Sequence, residues 1–393
     1  MKYIFISLLV WLISINSYSK GLDLDISGDY TLVTYSGVPN EGDSSRSIII
    51  EHAFTLRPSW LILDHWSLHS RLDFLSSQAQ TEDGTINLRK NWKSGIAKVN
   101  DTFLSQLYLK YNYKYHGGHV GIKPLSFGLG ITHNDDLTVP VANQVVDNSH
   151  PSLAYWFKLG SIKVETWHIY FKKNKLADKD TSYKAASSFK ILYGGEDWAL
   201  NYLYYKDLKF SAHNVFANKK TPWANTALEL VFSSPLQGED YTRSAALLTV
   251  DWNFNLAKNI LQINNSFLYA SGDVNSTNNI DESYSFSANK FSRDLFLRYS
   301  GNGKITNTMA TSMKVSTSFL QNFVGSVSLL YAKAIQAEGK KDMGFELSTS
   351  VNYSFNERFS WFNQVNLVLP GNAAKAVWPK NSLGFYSVIA INF

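Results

Sequence analysis

The residues best equipped for chemistry lie in two polar segments. ITHNDDLTV sets His133 beside Asp135 and Asp136, types used in acid–base catalysis and metal binding. A hydrolase would need such a histidine matched to a nucleophile and an orienting acid on neighbouring elements. The chain has no G-x-S-x-G elbow and no Cys, so the segment reads as a polar loop. DVNSTNNIDE places Asp273, Asn275, Thr277, Asn279 and Asp281 at every second position. Oxygen-bearing residues so spaced resemble a calcium loop, but the central Gly is missing and position 12 is Tyr284 instead of Glu. No catalytic residue, cofactor or metal is therefore expected.

A third set is larger and suits ion steering better than bond making. Arg57, Arg71, Lys110, Lys114, Lys172, Lys190, Arg243, Lys314 and Arg358 all stand opposite the apolar positions of alternating segments. So do Asp25, Asp29, Glu51, Asp73, Asp251 and Glu346. These residues are expected to line a water-filled interior with a mild cationic excess, where charges act at lowered dielectric and bias ion passage. Taken singly, a pair such as Arg71 and Asp73 also reads as a brace for the wall. Tyr108, Tyr170 and Tyr386 share the inward parity. Trp60, Trp66, Trp167, Trp198, Trp252 and Trp361 take the outward one, as aromatic-girdle or lipid-facing residues do.

The elements that must position these side chains are strands. LDLDISGDYTLV alternates Leu22, Leu24, Ile26, Tyr30 and Leu32 with Asp23, Asp25, Ser27, Asp29 and Thr31. FLSQLYLKYNYKY sets Phe103, Leu107, Leu109, Tyr111, Tyr113 and Tyr115 against Gln106, Lys110, Asn112 and Lys114. WLILDHWSLHSRLDF and DMGFELSTSVNYSF repeat the pattern. Alternation over 10 to 14 residues exceeds the soluble mode of about 5–6 and matches a membrane-crossing strand of about 9–11 residues plus projecting ends.

Short turns are expected near Pro58–Ser59, His116–Gly118, Gly160–Ser161, Gly194–Gly195, Ala257–Asn259, Leu320–Asn322 and Asn356–Glu357. Long polar stretches fall at about 76–101, 128–151, 272–304 and 371–381. The segment 207–240 reads as either two strands or one loop. SRDLFLRYS, near 292–300, is assigned to a long loop that could fold back into the pore. The chain is expected to be all-β: a transmembrane antiparallel β-barrel of about 18 strands, with 16 as the alternative, having short periplasmic turns and long extracellular loops.

Composition agrees. Charged residues make up 18% of the 393, below the roughly 25% of soluble domains, and aromatics make up 15%. A net charge of +5 is too small to argue for nucleic acid. MKYIFISLLVWLISINSYSK has a basic start, an apolar run of about 13 residues and small residues at Ser17 and Ser19. It is expected to be a signal peptide spanning 1–19, cleaved after Ser19, with one barrel domain over 20–393. The first strand follows the cut at once, leaving no room for a plug domain. GFYSVIAINF alternates to Phe393. In lipid every backbone group needs a partner, so this strand is expected to pair with the first and close the barrel. A terminal Phe at such a position resembles the C-terminal signal read by the bacterial barrel-assembly machinery.

HVGIKPLSFGLG, SFLYASGD at 266–273 and GFELSTSVNYSFNERFSWFNQVNLVLPGN at 344–372 resemble, in that order, segments of the alginate-export-like porins of Gram-negative bacteria. The resemblance spans about residues 100–393. It implies an 18-stranded diffusion channel without catalytic residues. Alginate does not carry over as substrate, because the alginate exporter proper lines its lumen with arginine and this chain has far fewer. The expectation is an outer-membrane porin for small hydrophilic, anionic solutes, meeting outer-membrane lipid and lipopolysaccharide and assembled through Phe393. The alternatives are a non-conducting barrel with a binding or structural role, and an outer-membrane hydrolase.

Overall fold

The computed structural model describes residues 23–40, 43–80, 86–87, 101–124, 127–129, 149–171, 184–194, 198–205, 210–235, 243–256, 259–271, 286–287, 304–305, 307–320, 322–335, 341–375 and 380–393. Of its 21 strand segments, three are two-residue pieces (Ile86–Asn87, Phe286–Ser287, Lys304–Ile305), leaving eighteen strands. These are β1 (Asp23–Asn40), β2 (Asp43–Leu63), β3 (Trp66–Gln80), β4 (Asp101–Asn112), β5 (His116–Pro124) and β6 (Ser149–Leu159). Then come β7 (Ile162–Phe171), β8 (Lys184–Tyr193), β9 (Trp198–Tyr205), β10 (Phe210–Lys220), β11 (Ala224–Pro235) and β12 (Arg243–Leu256). The last are β13 (Asn259–Ala270), β14 (Thr308–Leu320), β15 (Phe323–Ala334), β16 (Asp342–Ser354), β17 (Phe359–Pro370) and β18 (Ser382–Asn392).

Each strand pairs antiparallel with the next, and β18 pairs with β1 from Asp29↔Asn392 to Ser36↔Phe385. The sheet is therefore a closed barrel with no free edge. The segment 207–240 contains two strands, β10 and β11, which settles the count at eighteen. The seam ends on a reciprocal backbone pair: Gly28 N–H donates to Phe393 O at 2.8 Å and Phe393 N–H to Gly28 O at 3.0 Å. The Phe393 ring stacks on Phe54, with centroids 5.7 Å apart, directly over Gly28. A Cβ on Gly28 would lie 2.6 Å from that ring, so glycine leaves the space it fills.

One end of the barrel carries tight turns, at Asp64–His65, Tyr113–Tyr115, Gly160–Ser161, Thr221–Trp223 and Phe355–Arg358 among others. At the opposite end the strands are joined by longer connections, as between β3 and β4, β5 and β6, and β13 and β14. Two expected turns move. The chain runs straight through Pro58 and reverses at Asp64–His65, so WLILDHWSLHSRLDF is two strands and not one. Proline is tolerated because the β2–β3 ladder passes from Leu56↔Leu72 to Ser59↔His69 without asking Pro58 for an N–H. The β4–β5 reversal occupies Tyr113–Tyr115, ahead of the Gly117–Gly118 pair.

The outer face is a continuous apolar surface. Leu153, Leu200, Leu329, Leu347 and Phe385 each point outward and are 40–57% exposed. That much contiguous exposed hydrocarbon is a surface for lipid and not for water. Inward residues on β1–β8 are mainly polar. On β11–β17 the pattern differs: Val231, Leu247, Leu268, Ala310, Leu330, Ala332 and Val368 face inward yet are buried. They are covered in part by two segments folded inside the barrel. Ala374, after β17, packs on this cluster, and Leu129, after β5, packs beside it.

Candidate functional site

The inner wall of β3–β8 carries a column of aromatic and basic side chains. It begins with the brace: Arg71 Nε donates to both Asp73 oxygens at 2.9 and 3.0 Å, and Asp73 also accepts from Thr55 Oγ1 at 2.8 Å and Ser105 Oγ at 2.5 Å. Both charges are buried, with Arg71 at 5% and Asp73 at 0% exposure. Ser105 reaches Asp73 because β4 has a bulge there: Leu104 pairs with Leu72 and Gln106 with Arg71.

Above the brace, His69 stacks on Tyr108 at 4.9 Å between centroids. Tyr108 meets His119 edge-on at 6.2 Å, and His119 meets Trp167 at 4.5 Å. The His119 ring also contacts Ser152 Oγ at 3.2 Å. Tyr108 lies opposite Gly121, whose φ of +132° and close approach to the β4 backbone exclude a side chain. Two ammonium groups face this column. Lys123 Nζ is 5.6 Å from the Tyr108 centroid and 5.2 Å from Trp167, and Lys190 Nζ is 4.8 Å from Trp167. Lys110 pairs in register with His119 and shares the face. Glu165 is the acid of the group, accepting from Trp167 Nε1 and ion-paired with Lys163 at 2.8 Å.

An inserted segment completes the site. Phe127 is buried against Phe216 at 6.5 Å, with Lys190 Nζ 5.7 Å from its ring. Two residues on, the Leu129 N–H donates to Glu229 Oε2 at 2.6 Å. Glu229 is fully buried on the inner face of β11 and also receives Asn214 Nδ2 at 3.5 Å. A carboxylate on the wall thus latches a backbone segment across the interior.

The expected lining residues fall into four groups. Arg57, Arg71, Asp73, Lys110, Lys190, Asp251, Lys314 and Glu346 lie on the inward parity of their strands. Several are bonded within the wall: Arg57 to Asp29, Asp251 to Asn264 Nδ2, and Glu346 to Ser348 Oγ at 3.1 Å. Lys114 and Arg358 sit in connecting turns at the tight-turn end, where strand parity does not place them. Arg243 opens β12 opposite Ser233, with its side chain outside the described residues. Lys172 lies outside them too, as do His133, Asp135, Asp136, the 273–281 segment, SRDLFLRYS and residues 1–19.

The structure reverses the expected face of β7. Trp167 is buried inside and Tyr170 is 44% exposed outside, the reverse of expectation. The charges Lys163 and Glu165 set the parity of β7, and Trp167 follows them inward to meet the lysines. Tyr386 is inward and buried, Tyr108 is inward, and Trp66, Trp198 and Trp361 are outward and exposed. His69, His119, Lys123, Glu165 and Glu229 were missed as site residues. The alternation His119–Gly121–Lys123 was the available signal.

Fold and lumen together define a class: a closed eighteen-stranded antiparallel barrel with an apolar outer face and a partly filled, largely polar interior. No protein-family model and no curated protein matches the chain. Solved structures do. OccK2 (OpdF) of Pseudomonas aeruginosa, in complex with glucuronate, aligns with TM-score 0.55 at 10% identity, over 95% of this chain and 99% of that one. The outer membrane protein opdK of the same organism gives 0.55 at 12%, over 94% and 99%. A BenF-like porin from Pseudomonas fluorescens Pf-5 gives 0.58 at 9%, over 95% and 98%. These are not alginate-export porins, and identities of this size speak to the fold alone. The likeness thus holds at the level of the barrel fold.

Proposed function

We infer that the chain is an integral outer-membrane porin that lets small hydrophilic, anionic solutes diffuse through its lumen. The observation that carries this reading is the inner column itself. Lys110, Lys123 and Lys190 converge on Tyr108, His119 and Trp167 with Glu165 as the nearby acid, inside a barrel whose outer face is hydrocarbon. Ammonium groups held at low dielectric attract anions, and aromatic edges and faces offer a flat solute a second contact. The glucuronate bound by OccK2 has that chemistry, a carboxylate on a ring. The tight turns are then periplasmic and the long connections extracellular.

The resemblance to alginate-export-like porins supports the same class, while the lysine lining favours small anions over a polymer. Residues 1–19 act as the export signal, and Phe393 at the seam is the contact for the assembly machinery. The reading makes the protein a channel and not an enzyme.

Reconstitution in liposomes tests it. Conductance is expected, with a reversal potential in a salt gradient that favours anions, and sugar acids should swell vesicles faster than neutral sugars of equal size. A barrel that neither conducts nor swells vesicles overturns the porin reading, and a cation preference overturns its anionic part.

A further inference from the structure

At the tight-turn end the barrel has a basic cavity of about 520 Å³, next to the Tyr108–Trp167 column and joined to it through Lys163 and Glu165. Its walls include His65, Asn112, Lys114, Trp156, Lys158 and Lys163. Lys158 and Lys163 are directly opposite each other in the β6–β7 register. Like charges so placed repel, and the arrangement is destabilising unless a counter-charge lies between them. Trp156 sits beside the pair, with Lys163 Nζ 5.2 Å from its ring. Lys114 adds a third ammonium from the β4–β5 turn.

The charge count selects the ligand. Among the described residues the carboxylate ion-paired here is Glu165, bound to Lys163 at 2.8 Å. Lys114 and Lys158 have no carboxylate ion pair among those residues. One acid against three ammonium groups leaves two positive charges in a cavity whose other polar walls, Asn112 and His65, supply hydrogen-bond donors. The volume falls in the range of about 300–1,000 Å³ typical of small-ligand sites. We propose that this cavity binds a small dianion, a phosphate ester or a dicarboxylate, at the tight-turn mouth of the barrel. It rests on the porin reading for its role, as a holding site for divalent anions at one mouth of the channel. Lysine fits that role because it recognises such groups as a point charge, without the planar geometry that arginine demands.

Calorimetry on the detergent-solubilised barrel tests binding without requiring conductance. Inorganic phosphate near pH 8, succinate and chloride are titrated in turn, so that the two dianion sources are separated. Saturable binding of phosphate or succinate, at least tenfold tighter than chloride, is expected. It should fall at least tenfold in the Lys114→Gln/Lys158→Gln variant and persist in Lys110→Gln/Lys123→Gln. Circular dichroism and heat-modifiable mobility verify that each variant is folded. No saturable dianion binding, or equal loss in both variants, overturns the proposal. If the dianion binds as described and the barrel does not conduct, the site stands and the porin reading falls.

Discussion

The contact between Leu129 N–H and Glu229 ties an inserted segment to the barrel wall, and its loss is expected to widen the interior. Glu229→Ala removes the acceptor of a 2.6 Å charge-assisted bond. Such bonds are worth about 1.5–3 kcal/mol, or roughly 10- to 150-fold in the ratio of docked to undocked segment. Glu229→Gln leaves a neutral acceptor of similar shape and should cost about 1 kcal/mol, roughly fivefold. Phe127→Ala removes the other anchor, a ring buried against Phe216, worth about 1.5–3 kcal/mol. Single-channel recording in planar bilayers reads the effect as the fraction of time spent in the wider conductance level. That ratio should rise by these factors, and the two anchors should multiply in the double variant to the extent that they act independently. Asn214→Ala is the control, because it alters the wall partner of Glu229 and leaves the acceptor of Leu129 in place. Glu229→Ala recordings that match the unsubstituted protein, or an equal effect from Asn214→Ala, would refute the latch.

Three further outcomes are expected. Lys110→Gln, Lys123→Gln and Lys190→Gln together should shift the reversal potential toward cations, and the original preference should shrink at 1 M salt, where screening shortens the field to about 3 Å; an unchanged potential would remove the column from the permeation path. Asp73→Ala should lower stability by about 3–5 kcal/mol in guanidinium unfolding, because it strands the buried Arg71, whereas Arg71→Met with Asp73→Leu should recover much of the loss; equal losses would show that the ion pair is not the cause. Deleting Phe393, or replacing Gly28 with Val, should impair folding on heat-modifiable gels more than Asn392→Asp does, and equal behaviour would remove the argument from the seam ring.

Much of this was legible in the sequence because a barrel wall has a strict period of two. Between Leu24 and Leu32 in β1, and along β16, apolar and polar residues alternate closely enough that the inward ones could be assigned by counting. Counting fails where the period slips or where residue type misleads. The bulge at Ser105 adds a residue to β4, so Leu104 and Leu107 both face outward with two residues between them. Pro58 looks like a turn but lies where the ladder needs no donor. Trp167 looks like a girdle residue, but its neighbours Lys163 and Glu165 decide its side. The inserted Phe127–Leu129 segment had no periodic signature, since its partners, Glu229 and Phe216, are about a hundred residues away in sequence.

The apolar patch inside β11–β17 would give undocking of the inserted segments a thermal signature. A segment that docks on Leu247, Leu268, Leu330 and Val368 covers hydrocarbon, so releasing it hydrates that surface and raises the heat capacity. The free energy of release is then curved in temperature, with the docked form best populated at an intermediate point. Cooling below that point weakens the apolar contact, and the segments would undock in the cold as well as in the heat.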